Sequence, residues 1–342
     1  MSEIVVLSKK DLAAMLDLNT VLTGVETALA QKSARQAALV PMQYHAFGAA
    51  ADMDIKAGHL NTGGVYGLKL VSWFGHNPAK GLPALRGTTL LFDDATGEPL
   101  ALLNAEGLSL LHAGAAAAIG AKHLANPDST TLLVVGTGAQ AAYQIAATLL
   151  AMPGLRKVLL YNPHGAEKAA LRLPDITAKA AGLLAACGMA LTVPVLAVQR
   201  DEDLPAAVAE SQIILTATPS TKPLIHAGWV QPGTHISCMG ADVRGKQELD
   251  PMILKNARVF ADDIDQAIKV GECQTAINQG ILFQTQLAGE LGAVIAKTLA
   301  GRVSPRQVTV FDSTGLALQD LTVAKAAYDM ALANGIGARV EL

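Results

Sequence analysis

A chain of 342 residues exceeds what one comfortable hydrophobic core holds, so two domains are the natural expectation. Hydrophobic residues make up 51%, yet no apolar run reaches the length of a membrane span, and the longest (residues 107–121) is broken by His112 and rich in Gly and Ala. A net charge of −3 without a Lys/Arg block, and an aromatic content of 4%, argue against a nucleic-acid partner.

From about residue 11 to 38 apolar positions recur at helical spacing (Leu12, Met15, Leu16, then Val21, Val25, Ala28, Leu29), which predicts a helix. After Pro41 come short segments rich in β-formers at 44–47, 54–59, 66–74 and 88–92. Asp94-Ala95-Thr96-Gly97 is a turn joining 90–92 to 99–103 in a hairpin. Residues 107–124 read as a helix leading out of this mostly antiparallel region. From Thr130 the texture is α/β, with strands expected at 132–135, 158–161, 191–195, 212–216, 235–238 and 259–262 and helical stretches between most of them. A last strand, 308–311, runs into Asp312-Ser313-Thr314-Gly315, and a helix follows over 316–334. Such alternation implies a parallel sheet with crossover helices. The domain junction falls near Asn126-Pro127-Asp128-Ser129. The fold class is therefore α/β: a Rossmann doubly wound parallel sheet over 126–315, plus an α+β domain made of 1–125 with 316–342.

The strand 132–135 ends in Gly136-Thr137-Gly138-Ala139-Gln140-Ala141, a glycine turn that opens a helix. Gly136 permits the tight turn, Gly138 lets a pyrophosphate approach the backbone, and Ala141 is small enough for the helix to sit close on its strand. A diphosphate would lie at a helix N-terminus, where N–H groups and the dipole favour an anion. This points to NAD or NADP and to an oxidoreductase. At the end of the second strand, where a carboxylate would hold the ribose 2′-hydroxyl, stands Asn162. It either bonds that hydroxyl or serves as a turn residue before Pro163. His164 and Lys168 are near in sequence, and the choice between NAD and NADP stays open. Cys187, Cys238 and Cys273 are isolated, with no metal-binding spacing and no disulfide framework, which together with the absence of a secretory apolar region suits a reducing cytoplasm.

Further motifs then become legible together. They are Gly67-Leu68-Lys69, Asn77-Pro78-Ala79-Lys80-Gly81-Leu82-Pro83, the hairpin from Leu91 to Leu100, Thr218-Pro219-Ser220, Gly233-Thr234-His235-Ile236, Gly240-Ala241-Asp242, Gly245-Lys246-Gln247-Glu248-Leu249-Asp250, and the run from Asp312 to Asp320. The set spans nearly the whole chain and resembles the ornithine cyclodeaminase/mu-crystallin family, its last two motifs most of all the archaeal alanine dehydrogenase branch. The resemblance implies a homodimer, with the N-terminal domain supplying both the subunit interface and the substrate pocket. It also implies NAD(P)-dependent oxidation of an amino acid or reduction of an imine. A cyclodeaminase releasing ammonia is the nearest alternative, and a non-catalytic NAD(P)H-binding protein like the mu-crystallins is another. The expected partners are a small amino acid, keto acid or imine, with no membrane.

Two residues carry the expected chemistry. Lys69 is a cation on an apolar strand; it either snorkels to the surface, or binds the substrate carboxylate or donates a proton. Asp242 follows the strand 235–238 on the side where strand C-termini face ligands. It serves as proton acceptor and as counter-charge to an iminium, or as a helix N-cap. Substrate is expected to bind between the domains, with these two groups flanking the reacting C–N bond. Thr218, Ser220, Ser313 and Gly315 lie on loops expected beside the nicotinamide. The chain departs from the resemblance where family members carry substrate-binding arginines: His112 and Gln43 stand there instead. Lys56, Arg86 and His112 are the candidate substitutes, and ornithine is a doubtful substrate.

Overall fold

The structure is a computed structural model and describes residues 3–48 and 50–341. The chain forms two compact units, Met1–His112 with Leu316–Leu342, and Ala113–Gly315. The first unit opens with β1 (Glu3–Leu7) and two helices, Lys9–Met15 and Leu18–Ser33. One helix was expected over 11–38. Asp17 divides it, because Leu16 turns extended and the Asp17 carboxylate caps the second helix by accepting from Thr20 N at 2.8 Å. Beyond Ser33 the chain is extended again by Ala37.

There follow β2 (Ala37–Gly48), β3 (Ala51–Leu60), β4 (Val65–Phe74), β5 (Leu85–Asp93) and β6 (Pro99–Asn104), each antiparallel to the next. The β5–β6 hairpin turns where the sequence places it, with the Asp93 carboxylate accepting from Ala95 N and Thr96 N. Directly opposed residues share a sheet face, so register decides which side chains meet. Lys56, Lys69 and Thr89 form one such row across β3, β4 and β5.

The second unit is the doubly wound sheet. Its strands are β7 (Thr131–Val135), β8 (Lys157–Tyr161), β9 (Val195–Ala197), β10 (Ile213–Thr216), β11 (Thr221–Ile225), β12 (His235–Cys238), β13 (Gln247–Leu249), β14 (Arg258–Ala261), β15 (Gly289–Glu290) and β16 (Thr309–Asp312). Eight of them stand in the order β15-β14-β16-β12-β10-β7-β8-β9, parallel at every step, while β11 and β13 pair separately. The chain winds outward from β7 through β8 to β9, then restarts on the other side with β10. The crevice above β7 and β10 is therefore the topological switch point. β9 begins at Val195, the last residue of the expected 191–195, since Pro194 has no N–H for a ladder and uses its carbonyl to accept from Val158 N.

The chain then returns to the first unit as the helix Ala317–Asn334, and β17 (Ala338–Glu341) closes the sheet by pairing with β1. The helix lies on the face that carries Lys69, and Gly67 marks the contact. A Cβ added there would stand 2.2 Å from the Leu90 carbonyl oxygen and 2.7 Å from Leu321 Cδ2. Among the described residues no single helix is long and apolar enough to cross a membrane. Gly67→Ala is expected to destabilise the fold by about 2 kcal/mol through overpacking, measured as a lower urea midpoint.

Candidate functional site

The glycine turn after β7 opens onto a cleft of about 1010 Å³ in the second unit, at the switch point. Its walls come from three loops: Gly136, Thr137 and Gly138 after β7, Asn162 to His164 after β8, and Ala217 to Ser220 after β10. Gly136 has φ 120°, and a Cβ there would meet the Ala217 carbonyl oxygen at 2.6 Å, so two of these loops touch only because residue 136 has no side chain. A Cβ on Gly138 would meet nothing within 4 Å, which leaves open space over the turn. Ala139 and Gln140 lead directly into the helix Ala141–Ala151. Among the described residues no protein acceptor takes the N–H groups of Thr137, Gly138 or Ala139. Unspent donors in open space at a helix start suit a diphosphate.

Asn162 is occupied locally. Its amide donates to Thr137 Oγ1 at 2.6 Å, and its Oδ1 accepts from His164 N at 2.8 Å. The residue braces the turn to the glycine loop.

The loops on the other side of the sheet are held by buried carboxylates. Glu248 accepts from Thr216 Oγ1, Thr218 N and Thr218 Oγ1, each at 2.7 Å, and from Gly240 N at 2.9 Å. Glu272 accepts from Glu248 N and Leu249 N. Asp312 accepts from Glu272 N and Cys273 N. Asp262 gathers Ser313 Oγ, Thr314 N, Thr314 Oγ1 and Gly315 N within 3.1 Å. The hydroxyls of Thr218 and Ser313 are thus spent on fixing their own loops, while Ser220 Oγ donates to the Lys222 carbonyl. Burial raises all four carboxyls. Asp312 is pushed up to about 7, despite the N–H groups of Glu272 and Cys273 that oppose the rise.

In the first unit Lys69 is 7% exposed and does not snorkel. Its Nζ lies 2.8 Å from Asp320 Oδ2, and His112 Nε2 lies 2.9 Å from Asp320 Oδ1. Burial alone would raise the Asp320 carboxyl, but the charges of His112 and Lys69 outweigh it and hold the group well below the usual carboxylate range. Lys56 and Thr89 share the Lys69 row and are also buried. Thr89 Oγ1 and His112 Nδ1 are buried without a hydrogen-bond partner among the described residues. Buried polar atoms left unspent are what a polar ligand would satisfy.

The structure brings Lys69 and His112 together on Asp320, with Lys56 opposite Lys69 on the next strand. It does not bring Gln43 and Arg86 there. Gln43 opposes Ile55 and Arg86 opposes Ser72, positions of the opposite parity, so both side chains are on the other sheet face and both are exposed. This register sets Gln43 and Arg86 apart from the Lys69–Asp320 pair. Asp242 sits in the loop after β12, half-exposed, with Lys246 Nζ 2.5 Å from its Oδ1; no helix follows it, so it is not an N-cap. Asp320 escaped the sequence reading as a site residue. The signal was present, since a buried lysine demands a buried acid and the last motif ends on one.

A doubly wound parallel sheet with its glycine turn opening onto a cleft at the switch point is the Rossmann-type arrangement of nucleotide-binding α/β proteins. The chain belongs to the ornithine cyclodeaminase/mu-crystallin family, whose model it matches over residues 2–335. It is 34% identical over 339 residues to the alanine dehydrogenase of Archaeoglobus fulgidus, covering 99% of this chain and 98% of that one. It is 34% identical over 338 residues to the iminosuccinate reductase of Paracoccus denitrificans, covering 98% and 99%. The crystal structure of that reductase in complex with NAD+ superposes with a TM-score of 0.89 and covers 100% of each chain. An archaeal alanine dehydrogenase dimer with bound NAD is 34% identical with a TM-score of 0.87, again over 100% of both chains.

Asp320→Asn strands the Lys69 ammonium without its counter-charge, and the urea midpoint at neutral pH is expected to fall by the equivalent of about 3–5 kcal/mol. Asp312 works with the opposite sign from a paired acid. Its contribution to stability is complete below the ordinary value of 3.8 and is lost as pH rises through about 7. Stability measured by denaturant from about pH 5 to about pH 8 should decline, and Asp312→Asn should flatten that decline.

Proposed function

We propose that this protein is an NAD(P)-dependent oxidoreductase acting on the C–N bond of an amino acid or its imine. The observation that carries the reading is the buried Lys69–Asp320–His112 group, in a chain that also holds a glycine cleft suited to a dinucleotide. Gly136, Thr137, Gly138, Ala139 and Gln140 would hold the diphosphate, and Thr218, Ser220, Ser313 and Gly315 stand on the loops toward the nicotinamide. When bound, the nicotinamide accepts or returns the hydride. The substrate is an amino acid, a keto acid or an imine.

The protein's own groups supply charge and protons. Asp320 fixes the position of the Lys69 ammonium, which binds the substrate carboxylate or gives up a proton. Thr89 Oγ1 and His112 Nδ1 offer the adjacent hydrogen bonds, and Lys56 adds a second cation to the same row. A neutral amine is required before hydride can leave its carbon. Asp242 is the acceptor for that proton and the counter-charge for the iminium that results. The named relatives are dehydrogenases and reductases, which favours this chemistry over cyclodeamination and over a non-catalytic binding protein.

The same reading includes a homodimer. The face of β3–β5 away from Asp320 carries Met53, Ile55, Leu68, Leu70 and Leu90, none of them fully buried, and the stacked pair Tyr66–Phe92. A partly covered apolar face of this size suits a second copy of the chain, and one of the similar structures is a dimer. A cytoplasmic location accords with three cysteines that are free thiols.

With both cofactors and a panel of amino acids, keto acids plus ammonia, and cyclic imines, nicotinamide absorbance should report turnover. Lys69→Ala and Asp242→Asn are each expected to lower kcat/KM by about 10²–10⁴; near-normal rates in both variants would overturn the roles. Ammonia release without a net absorbance change would instead identify a cyclodeaminase. Leu90→Arg should convert the dimer to monomer in light scattering, and an unchanged mass would reject this interface.

A further inference from the structure

We infer that the cleft selects the 2′-phosphorylated dinucleotide, NADP(H), through a basic wall formed by His164, Lys168, Arg172 and Lys222. The inference rests on the dinucleotide reading above and deepens it.

The wall is built by the sequence after β8. His164 ends the turn braced by Asn162, and the helix Ala166–Ala186 begins two residues later. Lys168 and Arg172 are four apart on that helix and so share one face, with Leu171 beside them. Lys222, on β11, belongs to the same cleft; all of these residues line it. No aspartate or glutamate lines the cleft among the described residues. The acids nearby are directed elsewhere. Asp201 accepts from Tyr161 Oη and Ala166 N, and the Glu167 carboxylate lies against Gly165. Asp175 touches Arg172 only at 3.8 Å, with both side chains largely exposed. No described carboxylate pairs with Lys168 or Lys222.

Position 162 argues the same way. A carboxylate at the end of the second strand would accept from the ribose 2′-hydroxyl and repel a phosphate there. Asn162 carries no charge, and its amide oxygen already takes His164 N while its nitrogen serves Thr137. It does not repel a 2′-phosphate, and its amide is already oriented by two local hydrogen bonds. A phosphate brings about two negative charges and three acceptor oxygens, which suits several cations converging from a helix and a strand.

The test compares ligands that differ only at the 2′ position. Calorimetric titrations of the whole protein would use NADP+ against NAD+, and adenosine 2′,5′-bisphosphate against 5′-AMP. Each phosphorylated ligand should bind at least about tenfold tighter, the worth of one or two charge-assisted hydrogen bonds. The double variant Lys168→Glu/Arg172→Glu should lower that preference by about tenfold or more. Asn162→Asp, which keeps the acceptor for His164 N and replaces the N–H donated to Thr137 Oγ1 by a carboxylate oxygen that the Thr137 hydroxyl can turn to, should shift it toward NAD+. Equal affinity, or tighter NAD+, overturns the inference; so does a preference undiminished in the double variant. If neither dinucleotide binds, the cofactor reading itself falls, and that outcome is distinct from a loss of 2′ discrimination.

Discussion

A lysine held at 7% exposure inside a sheet needs a charge beside it, and in this protein that charge comes from the far end of the chain. Asp320 is as buried as Lys69 and answers His112 as well. Neither partner is stable alone in such a place, because an unpaired buried ion costs several kcal/mol. The helix Ala317–Asn334 must therefore lie on the sheet. That fixes where β17 returns, which edge β1 presents, and why Gly67 is the only kind of residue that fits under the helix. A buried ion pair and the closure of a domain are here one interaction.

The second unit solves a different problem by related means. A parallel sheet leaves its functional loops at strand ends, where backbone N–H groups lack ladder partners. Glu248, Glu272, Asp262 and Asp312 collect those donors from beneath, so the loops after β10, β12 and β16 are anchored by acceptors rather than by packing. Burial of these acids works against their ionisation, and their hydrogen bonds offset only part of it. Rigid loops are obtained at a cost in stability that grows with pH.

What the sequence discloses follows the range of the interactions involved. The glycine turn, the β5–β6 hairpin and the alternation of the second half are local patterns, and all are legible. Periodicity ran past Asp17 because a cap is a matter of one carboxylate and one N–H, which apolar spacing does not register. The short strands β1, β11, β13, β15 and β17 escaped notice because two to five residues carry too little pattern. Register is harder still. Gln43 and Arg86 were candidates on residue type, but facing is set by pairing across strands, where a shift of one residue reverses every side chain. Asp320 lies 251 residues from Lys69 and was visible only as part of a motif. Asn162 was readable in type and ambiguous in role until its two hydrogen bonds showed it engaged.

The closure of the first sheet by β17 has a consequence for how the protein is made. On the ribosome, Ala113–Gly315 emerges whole and can complete its parallel sheet, while the sheet begun by β1 still lacks an edge and its covering helix. Lys69 leaves the exit tunnel long before its counter-ion is synthesised. At a translation rate of about 5–20 residues per second, the interval is on the order of ten to fifty seconds. During it the nascent N-terminal strands expose an unpaired cation and a row of small residues where a helix belongs. A chain with this topology completes its first sheet only after the last strand has been made.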